Sequence, residues 1–205
     1  MREEVISKAT EFVYVGMNGK RAQTRQLIRD HLCKPPLNWC KVNSDGSALG
    51  QLGQAGGGGL IRNDKGDWIR GYMRAIGCTT SVAAKLWALQ DGIRLCITLK
   101  IPVVIFELDA KLVVDLLQKG EGNPNGIGAL VSDCKAGLQE IPMVQIQHCY
   151  WEANKCADTL ARRGAFLSQD FVVLLEPPTE VDFLLRLDST GAFYERLVFV
   201  CNVVS

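Results

Sequence analysis

Neither sign of charge dominates this sequence of 205 residues. Its 23 basic side chains stand against 22 acidic ones, so no global field holds a polyanion, and nucleic-acid binding has to come from a local groove. No run reaches the roughly 18 apolar residues of a membrane-spanning helix. No C-x-x-C pair occurs among the 8 cysteines. They are scattered, several on apolar-reading positions, which suits reduced, buried thiols better than a zinc site. The start, Met1-Arg2-Glu3-Glu4-Val5, lacks the apolar run of a secretory signal and carries acids that a transit peptide avoids. The expectation is a soluble intracellular monomer with no membrane partner. No repeats occur, and the one low-complexity tract, Gly56-Gly57-Gly58-Gly59, is followed by no Lys-Ser/Thr and enters a strand, so it is not a phosphate loop. Close backbone packing, or the approach of a nucleic-acid strand, accounts for it better.

With 47% hydrophobic and 22% charged residues, the chain can bury one substantial core. Residues 1–38 read as a polar extension with helix-like pieces around Glu3–Phe12 and Arg21–Leu32, stopped by Pro35-Pro36. From Trp39 the texture changes. Trp39–Ser44, Gly56–Arg62 and Trp68–Ile76 alternate like strands, with Asn63-Asp64-Lys65-Gly66 as a turn, and together they predict an antiparallel meander. Val82, Leu86, Leu89, Ile93 and Ile97 recur at three- and four-residue intervals, predicting a helix over Val82–Leu99. The apolar run Val103–Leu108 predicts a buried strand. Helices over Lys111–Gln118 and Gly126–Glu140, a strand over Val144–Tyr150 and a helix over Asn154–Arg163 complete residues 39–164. Strand–helix alternation implies parallel pairing through right-handed crossovers. The expected fold is α/β, a five-stranded mixed sheet of three antiparallel then two parallel strands with helices on both faces. Residues 165–205 show short apolar runs without usable periodicity and read as an appendage that packs locally or is partly mobile.

Three acids and a histidine carry the chemical interest: Asp45 on the first strand, Asp109 after the buried strand, His148, and Asp158 in the last helix. Two-metal phosphodiester hydrolysis needs carboxylates converging on two hard cations, and this order can bring them to one end of a mixed sheet. Asn154 lies four residues before Asp158, on the same face of the last helix. Glu107 lies two residues before Asp109 and so points to the same sheet face.

In Trp39-x-Lys41-x-Asn43-x-Asp45-Gly46-Ser47, Arg62-Asn63-Asp64-x-Gly66, Ala84-x-Leu86-Trp87-Ala88-Leu89-x-Asp91-Gly92, Glu107-x-Asp109 and Glu152-Ala153-Asn154-x-x-Ala157-Asp158, the chain resembles the type 1 ribonuclease H fold. It is similar in particular to the ribonuclease H-like domains of plants, found free-standing and at the end of non-LTR retrotransposon polyproteins. The resemblance covers about residues 38–165. It implies an endonuclease that hydrolyses the RNA strand of an RNA–DNA hybrid with two magnesium ions. It further implies that Asp45, Asp109 and Asp158 are metal ligands, that His148 shuttles protons during product release, and that Asn154, Ser47 and Glu107 support the site.

Two positions depart from that pattern. The helix acid of the family is Lys85 here, and the arginine usual before Glu152 is Trp151. An ammonium in place of a ligand turns attraction for a metal into repulsion, on the order of 4 kcal/mol for each unit-charge interaction at ~4 Å and an effective dielectric near 20. Lys85 either sits among the aspartates as a substitute cation or swings out to solvent. The competing readings are a nucleic-acid-binding module without catalysis, derived from a retroelement, and a protein-interaction domain that has lost the groove as well. Glu107 is not an evident compensation.

Overall fold

Thr80 begins the helix that carries Lys85. Its hydroxyl accepts a hydrogen bond from Ala83 N at 3.3 Å, satisfying one of the free N–H groups of the first turn. The resulting helix α1, Ser81–Thr98, buries the apolar stripe seen in the sequence, with Leu86 and Leu89 fully inside. The structure is a computed structural model that describes residues 34–50, 53–119 and 126–189, together with strands Gln23–Asp30 and Tyr194–Cys201.

The strands are β1 (Gln23–Asp30), β2 (Cys40–Ala48), β3 (Gly53–Arg62), β4 (Trp68–Thr79), β5 (Val103–Leu108), β6 (Met143–His148), β7 (Phe171–Leu174) and β8 (Tyr194–Cys201). After α1 come helices α2 (Lys111–Lys119), α3 (Gly128–Gln139), α4 (Lys155–Gly164) and α5 (Thr179–Ser189). The chain forms two compact units, His31–Ala192 and a second that joins Met1–Asp30 to Phe193–Ser205. Within the first, a sheet of order β6-β5-β2-β3-β4-β7 pairs β5 parallel with both β2 and β6, while β2–β3–β4–β7 run antiparallel. This is the expected mixed α/β sheet, enlarged by one strand. Phe171–Leu174 is too short for alternation to type it; pairing along the edge of β4, with Arg74 opposite Phe171, makes it a strand.

Helices cover both faces. Val42 and Ile61 pack with Leu86, Leu89 and Phe106 in the larger core. On the other face Leu60 and Met73 pack with Leu160 of α4 and Val181 of α5. The glycine run explains how two helices approach one strand so closely. A Cβ at Gly58 would stand 2.4 Å from Ala161 N and 2.5 Å from Leu160 C, and one at Gly57 would meet Ala88 Cβ at 3.0 Å. Of the two uses considered for the run, close packing is the one seen.

In the second unit β1 and β8 pair antiparallel with each other, Leu27 opposite Leu197. The helix expected around Arg21–Leu32 is therefore corrected to a strand over Gln23–Asp30. Ladder bonding to a segment far along the chain overrides a weak local helical preference. The helix-like piece at Glu3–Phe12 lies outside the described residues. No helix among the described residues is long and apolar enough to cross a membrane.

Candidate active site

Alternation along β2 places Lys41, Asn43 and Asp45 on one face of a strand buried on both sides, and all three are at most 3% exposed. Polar groups so buried need partners, and β5 supplies one. Glu107, opposite Asn43 in the parallel ladder, accepts from Lys41 Nζ at 2.6 Å, Asn43 Nδ2 at 3.1 Å and Gln147 Nε2 at 2.7 Å. Asn43 in turn accepts from an Arg62 terminal nitrogen at 2.7 Å and donates to Asn154 Oδ1 at 3.3 Å. Asn154 donates to the carbonyl of Ser44 at 3.1 Å. A largely buried polar network thus ties the start of α4 to β2 and β5.

At the end of that face the acids gather. Asp45 lies opposite Gly58, and Asp109 follows the last residue of β5. Lys85 comes from the helix on the opposite face, and Gly46 gives it passage. A Cβ at Gly46 would stand 2.2 Å from both Ala84 C and Lys85 N, so any larger residue would push α1 away. The Lys85 ammonium donates to Asp45 Oδ1 and, at 2.7 Å, to Asp109 Oδ1. Lys85 is only 8% exposed; of the two fates open to it, the structure takes the substitute cation.

Electrostatics follow from one ammonium shared between two carboxylates. Burial pushes the Asp45 carboxyl up to about 7; Lys85 opposes this, and the charges of Asp109 and Asp158 add to it. Burial alone would lower Lys85, but Asp45 and Asp109 outweigh it and hold the ammonium above its ordinary value. One negative charge in the buried triad lacks a partner, so Asp45 takes up a proton near neutrality.

The other expected residues stand farther from this contact. Asp158 is near enough to act on Asp45 by charge, yet its carboxylate accepts from Arg162 Nε at 3.1 Å, one turn along α4. His148 ends β6, exposed, with Nε2 3.2 Å from the carbonyl oxygen of Asp109 and its ring edge-on to Tyr150. Ser47 is half-buried in β2, opposite Gly56. Asn154 is corrected: it precedes the first residue of α4, and its side chain turns to β2 instead of sharing a helix face with Asp158. Glu107 is engaged by Lys41, Asn43 and Gln147 below the carboxylates, so it does not replace the missing acid. Trp151 lies in a single 3₁₀ turn, Trp151–Ala153, with Lys155 Nζ 5.7 Å from its ring centre. The network partners Lys41, Asn43 and Arg62 had no assigned role in the sequence, although the polar alternation of β2 pointed to two of them.

Among the described residues, no three acidic, histidine or cysteine side chains are grouped so as to hold a metal ion. The two carboxylates that meet are bonded to an ammonium.

The profile of the reverse transcriptase-like family matches residues 43–164. The chain belongs to this ribonuclease H-like family. A protein of Arabidopsis thaliana that carries the name of a ribonuclease H protein is 35% identical over 164 residues, covering 80% of this chain and 26% of its own length. The chain thus spans about a quarter of that relative. Among solved structures, ribonuclease H1 of the archaeon Halobacterium salinarum superposes with a TM-score of 0.59 at 20% identity, over 62% of this chain and 96% of its own. A ribonuclease H1 isolated from compost, solved in complex with an RNA/DNA hybrid, gives 0.57 at 23% identity, over 62% and 96%. At such identities these structures establish the ribonuclease H fold, as the order of motifs implied.

Proposed function

We propose that this ribonuclease H-like domain engages RNA–DNA hybrids and that its own residues suppress the cleavage step. The observation that carries this reading is the Lys85 ammonium bonded to both Asp45 and Asp109. Magnesium is the cation the family resemblance implies, and a two-metal site would draw on Asp45, Asp109 and Asp158, with His148 at its rim. The residues present do not fit that group, since a cation already bridges two of the three acids. Hybrid recognition in this fold relies on the 2′-hydroxyls of one strand and the backbone shape of the other, with little base reading. Support for a hybrid partner comes from the compost enzyme of the same fold solved with one. The plant relative favours a plant origin for the domain.

Filter binding of an RNA–DNA hybrid at two salt concentrations, with a time course of strand cleavage in magnesium, tests the reading. Retention that falls as salt rises, without cut RNA, is expected. Absent or salt-independent retention removes the hybrid-binding reading, and efficient cleavage removes the suppression.

A further inference from the structure

We infer that the Lys85 ammonium is the resident cation of this site, a tethered substitute that makes the carboxylate cluster refuse divalent ions and turns it into a staple joining α1 to β2 and to the end of β5. The inference deepens the reading above and rests on it only for which end of the sheet is the site.

Geometry supplies the first support. Lys85 Nζ lies between Oδ1 of Asp45 on β2 and Oδ1 of Asp109 just past β5, as a bound cation would. Helix α1 cannot withdraw easily, because the close approach at Gly46 seats it and both neighbours of Lys85, Ala84 and Leu86, are fully buried. Burial supplies the second. The side chains of Lys85, Asp45 and Asp109 are 10%, 4% and 12% exposed, so water screens their charges weakly. An incoming magnesium or manganese ion has two routes. It can displace the ammonium, which then remains buried without its partners beside a divalent charge. It can instead bind alongside, against the repulsion of a cation a few ångströms away. Asp158, the remaining acid, is already paired with Arg162, which lessens the charge it can offer an incoming ion.

The test is manganese titration followed by the electron paramagnetic resonance signal of the free ion, with thermal melts in EDTA and in millimolar magnesium at matched ionic strength. For the wild-type protein we expect no saturable manganese site and no magnesium-dependent shift in Tm. Lys85→Gln removes the charge and leaves the two carboxylates facing each other. It should melt lower in EDTA, regain part of that loss with magnesium, and bind manganese at least about tenfold more tightly than wild type. Lys85→Arg, which keeps the cation, should refuse manganese. Saturable manganese binding by the wild-type protein that Asp109→Asn abolishes overturns the inference. So does a folded Lys85→Gln protein indifferent to manganese, because it shows that the carboxylates are not held as a cation site. Should Lys85→Gln fail to fold, the comparison of wild type with Asp109→Asn decides alone. Hybrid retention is measured in EDTA, so its loss removes the functional reading while leaving the manganese result intact.

Discussion

At Lys85 one side chain decides between metal chemistry and a closed ion cluster, because position 85 faces both carboxylates at once. Lys85→Glu reverses the sign there and should raise both magnesium affinity and hybrid cleavage, each by at least about tenfold, since a repulsion of several kcal/mol becomes an attraction. Magnesium titration and a hybrid-cleavage assay on both proteins check it; equal metal binding and equal rates would mean that Lys85 is not what limits activity. Asp45 gives a second test. Its carboxyl titrates near 7 in the folded chain because burial raises it, against an ordinary value of 3.8. Between those values the folded state holds a proton that the unfolded state has lost. Stability therefore falls as pH rises through the window and levels off above it. Lys85 stays charged throughout. Asp45→Asn should remove this decline, which is on the order of 1 kcal/mol per pH unit. Urea midpoints for both proteins from pH 4.5 to 7.5 measure it, and parallel curves would place the buried charge elsewhere.

The elements of residues 39–164 were legible in the sequence to within a few residues, because each is typed by its own pattern: three- and four-residue spacing for α1, alternation for β2 to β4, an apolar run broken by Glu107 for β5. The site was legible as a set of types and not as a set of contacts. Spacing put Asp45, Lys85 and Asp109 in order, but whether Lys85 points inward depends on how deeply α1 settles against Gly46, which no periodicity reports. Asn154 was misplaced because a helix start and a buried link to β2 read alike. The glycine run allows the element scale to be tested with two near-identical changes. Gly58→Ala puts a methyl into the backbone of α4 at 2.4–2.5 Å, where something must shift, whereas Gly57→Ala meets Ala88 less tightly, its Cβ at 3.0 Å and its backbone Cα at 3.2 Å. Overpacking typically costs about 1–3 kcal/mol, so Gly58→Ala should lie at or above the top of that range and Gly57→Ala at or below its bottom, in chemical denaturation. Equal effects would argue against the tighter seat of α4. Glu107→Ala should cost about 3–5 kcal/mol, the usual penalty for stripping one partner from a buried ion pair, because Lys41 Nζ lies 2.6 Å from Glu107 and is only 2% exposed.

For the whole molecule, the question is where the folded unit ends. Residues beyond Gly164 gave no periodicity to read, since a four-residue strand and a helix with mixed faces are specified by what they pack against. In the fold β7 extends the sheet and α5 closes its second core. Phe171 of β7 stacks 5.1 Å from the Arg74 guanidinium, which makes a two-pronged pair with the buried Asp91, one bond of 2.7 Å. Trp68 Nε1 donates to the carbonyl of Leu175 at 3.1 Å. Val181 of α5 is fully buried beside Leu60, Met73 and Leu160, and Arg163 pairs with Glu180 at 2.7 Å on the rim. The exposed rim pair contributes little; the apolar contact has to hold α5 in place. Val181→Asp would bury a carboxylate among aliphatic side chains and should lower stability by several kcal/mol, on the order of 3 or more. Arg163→Ala should change it by less than about 1 kcal/mol. Thermal melts of both variants check the contrast. If Val181→Asp melts as the wild type does, residues 165–189 are an appendage to a unit that is complete at Gly164, and the second core does not contribute to holding the fold.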